Sequence, residues 1–68
     1  MEIKISPRGF KYADFKDLYG NDCSIQESSL ATEDAIWLGL DDSRMHLNRE
    51  QAEHIVELLQ KFIDDGSL

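Results

Sequence analysis

IWLGLDDSRMHLN, residues Ile36 to Asn48, contains the pattern from which the rest of the fold can be built. Ile36, Leu38 and Leu40 share one face at period two, whereas Ala35, Trp37 and Gly39 fall on the other, as expected of a strand with one dry side. Asp41, Asp42 and Ser43 suit a chain reversal, because short polar side chains satisfy neighbouring backbone groups. Met45 and Leu47 then resume the apolar face on a second strand, and His46 stands beside Trp37. A hairpin is therefore predicted, with a tryptophan and a histidine on the side away from the core.

Outward towards the C-terminus, Asn48 has the chemistry of a helix N-cap, with Gln51 placed to return the hydrogen bond and Leu47 as the apolar residue just outside. Ala52, Ile55, Val56, Leu59, Phe62 and Ile63 recur at intervals of three and four, which makes one stripe along a helix over about 49–64, ending at Gly66. Ile55, Leu59 and Phe62 are expected to be buried together. Towards the N-terminus, EIKIS alternates Ile3 and Ile5 with polar neighbours until Pro7 and Gly9 interrupt it. FKYADFKDLYG is ambiguous, since Phe10 and Tyr12 alternate while Phe15, Leu18 and Tyr19 could close a helical turn. CSIQESS reads as a strand with Cys23 and Ile25 on one face and Ser24 and Gln26 on the other, followed by SLATED as the return loop.

The fold class is α+β: a single small domain over residues 1–68, with three or four antiparallel strands packed against the C-terminal helix. Ile3, Ile5, Ile25, Ile36, Leu38, Leu40, Met45 and Leu47 are expected to face the helix stripe. At 68 residues there is no material for a second core.

Seven Lys and Arg against fourteen Asp and Glu give a net charge of −7, with acids spread along the whole chain. Such a field disfavours direct attachment to nucleic acid or anionic lipid and favours a basic protein surface. The single cysteine excludes an intrachain disulfide and fits a reducing compartment. No apolar run approaches the roughly 20 residues needed to span a bilayer, and the N-terminal alternation does not read as a signal sequence. A cytoplasmic setting and no membrane association are the resulting expectations, with a homodimer among the possible assemblies.

Several chemistries can be weighed against these residues. Cys23, His46 and His54 are ligand types, but they lack the paired spacing of a structural zinc site, so no metal or cofactor is expected. Cys23 beside Asp22 lacks the positive surroundings that make a thiolate. Asp41 and Asp42 in a solvated turn do not supply the unlike environments that acid–base catalysis needs, and no calcium-loop spacing follows them. SPRGFKY is too short a basic and aromatic patch for a nucleic-acid platform in so acidic a chain. No enzymatic activity is expected. Trp37 is more informative: with His46 and Gln26 on its face it either anchors a protein interface, Asp41 and Asp42 contributing nearby, or is covered by Phe10, Tyr12 or the N-terminal segment.

YGNDCSIQESSLATEDAIWLG followed by RMHLNREQAEHIVELLQKF, about Asp14 to Gly66, resembles a family of small phage and prophage proteins with a Cys-Ser-Ile/Leu-Gln strand, an Ile-Trp-Leu-Gly strand and a Met-His-Leu entry to the last helix. The resemblance implies a virus-borne accessory protein rather than a reaction. Inhibition of a bacterial defence or nucleic-acid-processing complex, in the manner of an anti-CRISPR protein occupying a basic groove, is the concrete expectation. A structural component that oligomerises through its sheet face is the second reading, and a small metal-assisted enzyme the third.

Overall fold

A computed structural model describes all 68 residues. Five strands, β1 (Lys4–Ile5), β2 (Lys11–Lys16), β3 (Asp22–Glu27), β4 (Ala35–Leu40) and β5 (Ser43–Asn48), precede one helix, α1 (Arg49–Asp65). They form an antiparallel sheet in simple meander order, each strand beside its sequence neighbours. The sheet thus has five strands where the sequence suggests three or four. The segment with ambiguous aromatic spacing supplies the difference: it pairs with β3 from Tyr12↔Gln26 to Lys16↔Asp22, which commits its backbone to the ladder, and β1 adds a two-residue edge.

The registers sort the side chains into two unlike faces. Ile5, Lys11, Ala13, Phe15, Cys23, Ile25, Glu27, Ile36, Leu38, Leu40, Ser43, Met45 and Leu47 fall on one side, and Lys4, Tyr12, Asp14, Lys16, Asp22, Ser24, Gln26, Ala35, Trp37, Gly39, Arg44, His46 and Asn48 on the other. The apolar set expected from alternation therefore shares a face. Its interior is small: Ala13, Cys23 and Leu47 are the only buried apolar residues.

The turn from β2 to β3 is held by one carboxylate. Asp17 accepts from the backbone N–H groups of Tyr19 and Asn21 and from the Asn21 side-chain amide, each at 2.9 Å. These bonds, the Asn21 amide foremost, hold the Asp17 carboxyl below the usual carboxylate range. Because the folded value is depressed, the turn's contribution is present above the unfolded value and is lost as pH falls through the folded one. Protection of the Tyr19 and Asn21 amides, relative to the rest of β2 and β3, should therefore be lost selectively as pH falls below the usual carboxylate range, and exchange that tracks the rest of β2 and β3 across that range would contradict this role.

At the other end, α1 begins without a linker, since Asn48 is both the last residue of β5 and the helix cap. Its side chain accepts from the Gln51 N–H at 2.9 Å while Gln51 returns a bond to the Asn48 N–H at 3.0 Å, and Gly66 closes the helix at φ +77°. Asn48→Ala should cost about 0.5–2 kcal/mol and leave Asn48's neighbours in the first turn frayed, which urea unfolding and the exchange rates of residues 50 and 51 would measure.

The helix packs against the sheet, chiefly β5, and only through its beginning. Ala52 and Ile55 are half-buried, but Leu59 is 52% and Phe62 54% exposed, and Val56 and Ile63 are more exposed still. The expected common burial of Ile55, Leu59 and Phe62 is therefore not found within one chain. Nor does the helix cover all of the apolar face, where Ile3, Ile5 and Met45 remain exposed. The cause is the direct junction at Asn48: with no loop to reverse the chain, the helix stays near the sheet for its first turns and does not lie across it.

Candidate functional site

Trp37 lies in β4, directly opposite His46 of β5 on one side and Gln26 of β3 on the other. Alternation forces all three onto the polar face, because Ile36 and Leu38 point into the apolar one. The imidazole of His46 stacks on the indole with ring centroids 3.9 Å apart and planes 9° from parallel. Arg44, two residues before His46 and so on the same face, places its guanidinium over the indole at 5.6 Å from the centroid. Its Nη1 donates to Gln26 Oε1 at 3.2 Å and to Ser24 Oγ at 3.4 Å. His46 Nε2 lies 2.8 Å from the Ser28 hydroxyl at the start of the return loop.

These contacts make a connected cluster that runs from Ser24 and Gln26 through Arg44 and Trp37 to His46 and Ser28. Trp37 and Arg44 are half-buried and His46 is exposed. The cover over Trp37 thus comes from its cross-strand neighbours on β5. The turn at 6–10 lies alongside, and together with Trp37 and Gln26 its residues Ser6, Arg8 and Phe10 line an open groove of about 420 Å³. That turn is tied to itself, with Phe10 N–H donating to the Ser6 hydroxyl at 3.1 Å.

The structure brings Trp37, His46 and Gln26 together and leaves Asp41 and Asp42 apart. The two aspartates occupy the exposed tip of the β4–β5 hairpin, where Asp41 N–H donates to the carbonyl of Asp22 at 3.1 Å. Neither takes part in an ion pair. With Asn21 and Asp22 they line a shallow acidic end of the sheet. Arg44 and Ser28 were missed by sequence reasoning. Arg44 was accessible to it, since a residue two before His46 must share its face, but the Ser28 contact depends on the path of an irregular loop.

Of the other residues weighed for chemistry, Cys23 and His46 lie on opposite faces of the sheet, and His54 is exposed on the helix. The three do not converge. Burial pushes the Cys23 thiol up, with the negative charges of Asp17 and Asp41 acting in the same direction, so the thiolate is disfavoured. A larger cleft of about 610 Å³ opens where the return loop meets the helix start, between Phe10, Leu30, Asp34, Ile36, Leu47 and Ala52. Comparison with protein-family models, with curated proteins and with solved structures finds no match for this chain.

Proposed function

We propose that this chain is a noncatalytic interaction protein that docks its Trp37 face onto a basic protein surface, and that its partner is a bacterial defence or nucleic-acid-processing complex which it inhibits in the host cytoplasm. The observation that carries this reading is the preassembled Trp37–His46–Arg44 cluster. Tryptophan and arginine dominate binding hot spots, and here they are already held by each other and by Gln26 and Ser24. Docking then costs little further side-chain ordering. The excess of seven negative charges supplies the long-range attraction, and Asp41 and Asp42, unpaired at the hairpin tip, are suited to lysines or arginines at the rim of the contact. Arg44 carries the opposite sign at the centre, so the receiving surface needs an acceptor, a carbonyl or a carboxylate, within its basic surroundings.

Capture from bacterial lysate with the tagged chain, followed by affinity measurement on the purified partner, tests this reading. Arg44→Ala and Trp37→Ala should each weaken binding by roughly 30-fold or more, the loss expected of a hot-spot residue. Affinity should also fall as salt is raised. Circular dichroism of both variants separates lost docking from lost folding. Equal binding by wild type and both variants, or affinity indifferent to salt, would count against it.

A further inference from the structure

The polar face leaves a second surface unaccounted for. The chain exposes 5566 Å² of accessible surface, whereas a compact protein of 7.8 kDa is expected to expose about 4,400 Å². Its radius of gyration is 13.1 Å against about 11 Å for a compact chain of this length. The excess area, roughly 1,200 Å², exceeds the ~800 Å² that each partner contributes to a standard stable interface.

The uncovered surface has two parts, and they are complementary in kind. One is the helix stripe of Val56, Leu59, Phe62 and Ile63, all more than half exposed. The other is the apolar sheet face, where Ile3 and Ile5 are 63% and 68% exposed and Met45 51%. A hollow of about 370 Å³ opens there, lined by Ile3, Ile25 and Ile36 over the buried Ala13 and flanked by Lys11 and Glu27. A helix stripe and a sheet face are the two halves of a layered core. In this chain each is present and neither completes the other, because the helix, joined directly at Asn48, meets the sheet only through its first turns and leaves the rest of its stripe uncovered.

We infer that a second copy of the chain covers this surface: in a two-fold dimer the helix of each protomer lays its stripe on the apolar sheet face of its partner, with Phe62 entering the hollow. Such a contact is reciprocal, as two-fold symmetry requires. Glu50, Glu57 and Asp64 lie on the side of the helix away from the stripe by the 100° helical step, and on the receiving sheet face Glu27 is accompanied by Lys11. The Trp37 faces of both copies stay outside, so the dimer is bivalent for any partner of that face. The inference stands on the apolar side alone and does not depend on what the Trp37 face binds.

Sedimentation equilibrium of the full chain tests it, alongside Phe62→Asp on the helix and Ile3→Asp on the sheet. Both positions are more than half exposed in one chain, and circular dichroism reports whether each variant keeps its fold. Dimeric wild type at micromolar concentration, with both variants weakened in association by at least tenfold, is the expected result. A wild type that stays monomeric up to millimolar concentration would overturn the inference. A dimer broken by Phe62→Asp but indifferent to Ile3→Asp would overturn the helix-on-sheet arrangement in favour of paired helices.

Discussion

Leu47→Ala is expected to lower the unfolding free energy by about 2–5 kcal/mol, from lost transfer energy and the cavity left behind. Leu47 is one of only three buried apolar residues, and it sits where the apolar sheet face meets the helix start, opposite Ile36 of β4. The other two, Ala13 and Cys23, have small side chains, so no other position removes as much buried volume. A domain of this size draws only about 3–5 kcal/mol from a single core. The substitution should therefore remove most of the chain's stability. Urea titration followed by far-ultraviolet circular dichroism reads the effect, and a midpoint within error of wild type would show that the core lies elsewhere.

Gly39→Ala is expected to cost about 1–3 kcal/mol for a different reason, the backbone rather than the core. Gly39 adopts φ +136° within β4, a conformation that side-chain-bearing residues rarely take. An added Cβ would also meet the Arg44 Cα at 3.5 Å and the Ser43 carbonyl oxygen at 3.6 Å, ordinary contacts that leave the strain itself as the cost. Relief of that strain means rotating β4 at the point where Gly39 pairs with Arg44, so the guanidinium should lose its seat over Trp37. A thermal midpoint lower by about 4–8 °C per kcal/mol, together with altered tryptophan emission, is the expected pair of observations. Unchanged stability would remove the backbone argument.

The local pattern was legible in the sequence wherever one physical rule acted alone. Alternation through Ile36, Leu38 and Leu40 placed Trp37 opposite the apolar face, and the reciprocal Asn48–Gln51 cap fixed where the helix begins. The segment from Phe10 to Gly20 was not legible, because aromatic residues at mixed spacing satisfy a strand and a helical turn equally until pairing with β3 decides. The burial of the helix stripe was expected from its periodicity, which shows that a face is apolar but not what covers it. Within one chain the missing loop at Asn48 leaves that face open. At the site, Trp37, His46 and Gln26 followed from period two, whereas Asp41 and Asp42 stand apart from them beyond the end of β4. The tip of the hairpin lies four residues beyond Trp37, about 13 Å along an extended strand.

Trp37 is the only tryptophan, so it can carry a single reporter in the middle of the proposed contact. The most direct test of docking through its face is to incorporate 5-fluorotryptophan and follow the one fluorine resonance while the purified partner is titrated in, with complex formation measured independently by sedimentation. The resonance should shift or broaden in proportion to the fraction bound, and return towards its free position as salt dissociates the complex. A fully formed complex with the Trp37 resonance unmoved would contradict docking through this face.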